Sequence, residues 1–333
     1  MDAVPIVHGG NLDAARRQFP DAPQPLIDLS TGINPDSYPF PPLPPDSFRQ
    51  LPQRGALQRL AAAAACAYGA PSPDHVVPAP GTQILLPLVA ALVLPGRARV
   101  LGPTYAEHVR VATLVGHKAE EVTDLHDLAK ADLAVVVNPN NPDGRTVGKG
   151  ELLAVADAQR ERRGLLVVDE AFMDVAPAGS LGGEVGRGNI VVLRSFGKFF
   201  GLAGLRLGFA LAAPDIAARL NTSLGPWPVS GPAIIIGEAA LADSAWAQAM
   251  HRSLNRRARE LDELLSAAGL HVVGGTPLFR LVRSAAAGAL FSRLGRAGIL
   301  VRRYAEHPEW LRFGLPHGQQ EWRRLREALA RFT

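Results

Sequence analysis

Several apolar runs in this chain end in residues that can do chemistry. DLAVVVNP leads into Asn140, Asn141, Pro142, Asp143 and Gly144; GLLVVDEAF ends with Asp169 and Glu170; NIVVLRSFGK ends with Ser195 and Lys198. Lys198 follows Ile190-Val191-Val192-Leu193 and sits among Phe196, Phe199 and Phe200. A lysine withdrawn from water gives up its proton more readily and becomes a nucleophile able to form a Schiff base. The plainer alternative is a side chain that runs along apolar surface and leaves its ammonium in solvent. Asp169 raises a matching question, because a buried carboxylate is costly unless it meets a cation. A phosphate ligand would need glycine-rich amides at a helix start, hydroxyls and an arginine. Gly81-Thr82-Gln83 opens a helical stretch, and Ser195 and Arg206 flank the lysine. Singly, each residue has an ordinary explanation as a cap, a turn or a surface group. In this order, they converge on one ligand.

The elements that must position them are legible. ARVLGP, DLAVVVNP, GLLVVDE, NIVVLRSF and LRLGFALA are continuous apolar runs bounded by turn residues, the pattern of strands buried on both faces. Helical segments such as KGELLAVADAQRERRG separate several of them, giving the rhythm of an α/β domain with a mostly parallel sheet, whose functional groups collect at strand ends. Upstream, SYPFPPLPPD reads as an extended connector, GALQRLAAAAACAYG as a helix, VVPAPG as a strand and turn, and TQILLPLVAALVL as a helix with Pro87 in its early turns. Beyond Asp215, a long helix from about Trp246 to Ala268 precedes HVVGG, LFRLVR, ILVRRY and EWLRFGLP. The helix GQQEWRRLREALARF closes this α+β region. Turn signals in NTSLGPWPVSGP place the boundary there. The division is an arm and connector over 1–45, a large domain over 46–222 and a small domain over 223–333.

Composition excludes several classes. The 333 residues are 47% hydrophobic and 20% charged, as in a soluble globular protein. The net charge is +4, and the arginines at 252, 256, 257, 259, 323, 324 and 326 read as solvated helix faces. Without a zinc-finger, RNP or helix-turn-helix pattern, no nucleic-acid partner is expected. Cys66 is the one cysteine; it has no disulfide or metal-cluster partner, and is expected to be a small buried filler. No metal site is expected. The start lacks a signal-peptide pattern, and ILLPLVAALVLPG is too short and too proline-broken to span a bilayer, so the expected location is cytoplasmic, with no membrane partner.

Together NPNNPDG, VVDEAF and SFGKFFGLAGLRLG resemble the fold-type I pyridoxal-phosphate enzymes, in the aminotransferase class that includes histidinol-phosphate aminotransferase. The resemblance covers nearly the whole chain. It implies pyridoxal 5'-phosphate as cofactor, with Lys198 as its Schiff-base lysine and Asp169 holding the protonated pyridine nitrogen, which makes the ring an electron sink. It further implies Asn141 on the ring 3-oxygen and Tyr105, in GPTYAEH, on the ring face. Gly81, Thr82, Ser195 and Arg206 would hold the phosphate, joined by Gln83, and Arg312 in WLRFG would hold a substrate carboxylate. A homodimer is implied as well.

Within that class, VHGGN followed by LIDLSTGINP, and Phe172 in DEAF, are similar to the threonine-phosphate decarboxylases of cobalamin biosynthesis. The implied reaction removes CO2 from L-threonine O-3-phosphate, giving (R)-1-aminopropan-2-yl phosphate. His8, Gly9, Gly32 and Asn34 would contact this phosphorylated amino acid, along with Asn141. Its phosphate would meet Arg302, in GILVRRY; Arg303 is adjacent, and only one of two neighbouring strand residues faces inward. The rival is a histidinol-phosphate-type aminotransferase. Pyridoxal-binding transcription regulators share the fold but carry an N-terminal DNA-binding domain, whereas this chain begins almost directly with the arm. Three positions depart from the family pattern: Leu51 where relatives have tyrosine, Gly197 where Ser or Thr precedes the lysine, and Thr276-Pro277 near a substrate-contacting asparagine.

Overall fold

The computed structural model describes residues 8–330. Its strands in chain order are β1 (Ile27–Leu29), β2 (Val76–Ala79), β3 (Arg97–Leu101), β4 (Lys118–Val122), β5 (Leu133–Val137), β6 (Leu165–Asp169), β7 (Ile190–Ser195), β8 (Gly208–Leu211), β9 (His271–Thr276), β10 (Phe279–Arg283), β11 (Ile299–Arg303) and β12 (Trp310–Gly314). They form two sheets in two compact units. The larger unit comprises Ser37–Asn141 and Arg145–Ala247; the smaller comprises residues up to Asp36, Pro142–Gly144 and Gln248 onward.

The larger unit carries the seven-stranded sheet β2-β8-β7-β6-β5-β3-β4. Neighbours from β4 to β7 pair in parallel, and β8 runs against both β7 and β2. β5 and β6 are buried at every position, as their unbroken apolar runs require. Val77, Val100, Val135, Val167, Val191 and Leu193 belong to one core, packed with Leu85, Val89, Val111 and Leu220 from helices. The helix expected over TQILLPLVAALVL is shorter: a 3-10 turn Thr82–Ile84 leads into a helix of Leu85–Ala90, with Pro87 in its first turn. The helix Arg54–Tyr68 ends on Gly69 in the left-handed region, where glycine avoids the Cβ clash. It buries Leu60, Ala61, Ala64, Ala65 and Tyr68. That spacing corrects one expectation: Cys66 falls on the solvent face and is exposed.

The smaller unit carries the sheet β1-β11-β12-β10-β9. β1 pairs in parallel with β11, and the other neighbours are antiparallel. These units divide the chain elsewhere than the turn signals do. The N-terminal segment joins the C-terminal strands because β1 adds to β11. The helix Gly231–Ala242 remains in the larger unit, packed on the helix Arg54–Tyr68, where Gly237 leaves room for Leu60 and Leu207. Ala15 and Phe19 of the N-terminal segment pack with Ala22 and Leu300. In the loop after β5, Asp143 and Gly144 lie against Gly274 and Gly275 of β9, so closely that a Cβ on Gly144 or Gly274 would overlap backbone. Among the described residues, no helix is long and apolar enough to cross a membrane.

Candidate active site

In the larger unit, the chemistry gathers where β6 and β7 end. Asp169, the last residue of β6, is 5% exposed. Its Oδ2 meets His108 Nε2 at 2.9 Å, and its Oδ1 accepts the Ala171 amide at 3.0 Å. His108 is itself buried, and Tyr105 meets its ring edge-on at 6.0 Å. Asp169 thus has a fixed orientation, with Tyr105 one residue further out. Sequence reasoning passed over His108. GPTYAEH contains it, but nothing local pairs a histidine with an acid 61 residues away.

Lys198 is half-buried on the short helix Phe196–Phe199 that follows β7. Aromatic packing holds that helix: Phe196 stacks on Phe200 at 4.4 Å, and Phe200 stacks on Trp246 at 5.6 Å. The Lys198 Nζ lies 5.7 Å from the centre of the Phe172 ring. The connector is fastened to the same loop, since the Tyr38 amide donates to Phe200 O and Ser37 Oγ donates to Gly201 O. Burial, and then the nearby Asp243 carboxylate, raise the Tyr38 phenol above its ordinary value.

Gly81, Thr82, Ser195 and Arg206 come together. Ser195 pairs with Gly208 across β7 and β8, and a Cβ on Gly208 would stand 2.7 Å from the Thr82 amide nitrogen. Gly81 has φ +83°, and a Cβ there would stand 2.7 Å from Arg206 Nη2. Arg206 takes φ 54°, in the left-handed region that non-glycine residues seldom occupy. An arginine, two hydroxyl-bearing residues and the first amides of a helical turn are therefore neighbours, a set of groups whose chemistry suits an anion. Gln83 points elsewhere: its side chain donates to Glu107 at 2.8 Å and accepts from the Tyr105 hydroxyl at 3.1 Å. Asn141 lies half-buried in a loop held by its neighbours. Asn140 bonds Thr104 and the Pro103 carbonyl, and Asn138 exchanges two bonds with Val147.

Behind Asp169 and Ser195, on the opposite sheet face, lies an ion cluster absent from the sequence reading. Arg194 is 1% exposed; its guanidinium meets Glu170 at 2.8 Å, also contacts Asp174, and lies 4.3 Å from the Tyr68 ring centre. Burial favours loss of the Arg194 proton, but Asp174 and Glu170 outweigh it and raise the pKa. Burial, and then Asp174, push the Tyr68 phenol well above its usual range.

In the smaller unit, Arg302 of β11 pairs directly with Arg312 of β12. Paired strand residues share a face, so both guanidiniums belong to one side of the sheet. Arg302 lies 5.4 Å from the Tyr304 ring centre and Arg312 lies 4.9 Å from that of Phe279. Arg303 alternates to the other face and covers Phe291 at 4.8 Å. Arg312 also donates to Ser30 O at 3.0 Å. Gly32 and Asn34 are buried just beyond, with Asn34 Oδ1 accepting the Asp36 amide at 3.0 Å. His8 is exposed, and Gly9 abuts Ser30. The departures have local settings. A Cβ at Gly197 would stand 2.7 Å from Ala203 Cα, which leaves no space for serine or threonine; Leu51 is 59% exposed; Thr276 is buried, its Oγ1 accepting the Leu278 amide.

The strand order, the lysine after β7 and the acid ending β6 define a class, and comparison bears it out. Residues 47–330 match the family of class I and II aminotransferases, and the chain belongs to that family. A threonine-phosphate decarboxylase from Sinorhizobium sp is 43% identical over 332 residues, 99% of each chain. Another from Pseudomonas aeruginosa is 40% identical over 330 residues, 98% of each chain. The crystal structure of histidinol-phosphate aminotransferase from Sinorhizobium meliloti, in complex with pyridoxal-5'-phosphate, superposes with a TM-score of 0.80 at 23% identity, covering 99% of this chain and 96% of its own.

Proposed function

We propose that this protein is a pyridoxal-phosphate-dependent decarboxylase of L-threonine O-3-phosphate, acting in cobalamin biosynthesis and releasing CO2 and (R)-1-aminopropan-2-yl phosphate. The observation that carries the substrate reading is the cross-strand pair of Arg302 and Arg312. Like charges directly opposite one another weaken a sheet. A substrate with a carboxylate at one end and a phosphate at the other offsets that cost. Full-length likeness to two curated threonine-phosphate decarboxylases supports the reaction.

The chain's residues fit the cofactor. Gly81, Thr82, Ser195 and Arg206 would make a cradle in which Gly81 takes a φ of +83° that favours glycine, and Asp169 presents a buried carboxylate oriented by His108. Bound to Lys198, pyridoxal phosphate supplies an electron sink for the bond broken at the substrate's Cα. Asp169 would keep the ring nitrogen protonated, Tyr105 would cover the ring face, and Asn141 would bond its 3-oxygen. Gln83 acts one step away, by fixing the Tyr105 hydroxyl.

Arg312 holds the substrate carboxylate in the two-pronged geometry that suits a guanidinium. By fixing where that carboxylate sits, Arg312 would favour loss of CO2 over loss of the Cα proton. Arg302 holds the substrate phosphate; His8, Gly9, Gly32 and Asn34 complete the substrate contacts. Lys198 Nζ returns a proton to Cα after CO2 departs. The segment 1–45 serves as an arm to the site, the protein acts as a cytoplasmic homodimer, and the exposed Phe48, Leu51 and Trp227 provide apolar surface for association. Rate measurements with threonine phosphate alone, and with histidinol phosphate plus 2-oxoglutarate, test the assignment. A kcat/KM that favours the second pair would make it an aminotransferase.

A further inference from the structure

Ser30, just beyond β1, is 6% exposed and bonds in three directions. Its hydroxyl donates to Asp28 Oδ1 at 2.5 Å, and its amide donates to the same oxygen at 2.9 Å. With its proton committed to Asp28, the hydroxyl accepts the Gly10 amide at 2.8 Å. Its carbonyl accepts Arg312 Nη2 at 3.0 Å. One buried residue therefore touches both the N-terminal arm and the arginine assigned to the substrate carboxylate.

The arm is shaped to lie on Ser30. A Cβ on Gly9 would overlap the Ser30 carbonyl, and Gly10 has φ +83°. Glycine is needed at the first for close approach and at the second for its backbone conformation. Asn11 then caps the helix Leu12–Gln18 by accepting the Ala14 amide, and Phe19 and Ala15 anchor that helix beside Leu300. The direction of the chain at His8 is thus set by the contacts of Gly9 and Gly10 with Ser30.

We propose that Ser30 is a positioning residue. It seats the arm that carries His8 on the element that holds Arg312, so that arm placement and substrate binding are coupled. This rests on the reading of Arg312 and His8 as substrate contacts. The bond to a carboxylate is of the charge-assisted kind, so the Asp28–Ser30 pair holds its shape without the substrate. Neither residue reaches the reacting atoms; both act through the arm.

The test uses the full chain loaded with pyridoxal phosphate. Ser30→Ala should raise KM for L-threonine O-3-phosphate about tenfold, with kcat within about threefold, as loss of one positioning hydrogen bond implies. It should also speed amide hydrogen exchange in the peptide spanning residues 8–11. His8→Ala should raise KM similarly, and the double variant should be no worse than His8→Ala alone, because both changes remove one contribution. Asp28→Asn, which spares the hydroxyl, should shift KM and exchange in the same direction, and serves if Ser30→Ala does not fold. Unchanged exchange, or effects of Ser30 and His8 that multiply, would overturn the proposal. If the wild-type protein does not turn over threonine phosphate, the functional reading fails, while the exchange experiment still decides whether Ser30 seats the arm.

Discussion

Arg302 and Arg312 face one another across β11 and β12, while Arg303 turns to the other side of the sheet and covers Phe291. The register therefore puts Arg302, the arginine that the family resemblance selects, on the face of Arg312 and Arg303 on the other. Arg302→Met should raise KM for threonine phosphate by about 100-fold, the scale of a lost charge-assisted phosphate contact. Arg303→Met should change it by less than about threefold. Steady-state kinetics of both variants checks the assignment; the reverse ranking would refute it.

Lys198→Ala should remove covalent attachment of the cofactor. After borohydride reduction and denaturation, the wild-type chain should retain pyridoxyl mass on the peptide containing Lys198, and the variant should retain none. Peptide mass spectrometry reads this directly.

Asp169 and His108 should differ in degree. Asp169→Ala should lower kcat at least about 100-fold, as loss of a group set against developing charge does. His108→Ala, which acts through Asp169, should cost about 10- to 100-fold. Comparable substrate KM values would place both effects on the chemical step.

The Arg194 cluster supports the strand ends from behind. Arg194→Met leaves Glu170 and Asp174 buried without their cation and should destabilise the fold by about 3–5 kcal/mol. Urea denaturation of wild type and variant measures the loss.

Tyr68 should make stability fall at alkaline pH. Its phenol is raised above the ordinary value of 10.0 by burial and by Asp174, so the fold favours the protonated form. That contribution is fully present below pH 10 and declines as pH rises towards the folded pKa. Tyr68→Phe should flatten the decline in thermal midpoint above pH 10.

The chain shows unequally what it will become. β5, β6 and β7 announce themselves because strands buried on both faces need unbroken apolar runs. β4, whose sequence is KAEEV, is an edge strand with exposed charged positions and carries no such signal. β1 has three residues and exists as a strand because β11 offers it an edge. The placement of Lys198 and Asp169 was legible since motif residues sit at strand ends. His108 and the Glu170–Arg194 cluster were not, because their pairings join positions far apart in sequence. Cys66 was misplaced by composition, which cannot give the phase of a helix.

A decarboxylase and an aminotransferase differ in the bond that breaks at the substrate's Cα. L-threonine O-3-phosphate labelled at its carboxyl carbon should be supplied to the pyridoxal-phosphate-loaded protein with no oxoacid present. The label should leave as CO2, in step with formation of aminopropyl phosphate. Retained label, with amino transfer appearing only once 2-oxoglutarate is added, would contradict the decarboxylase reading.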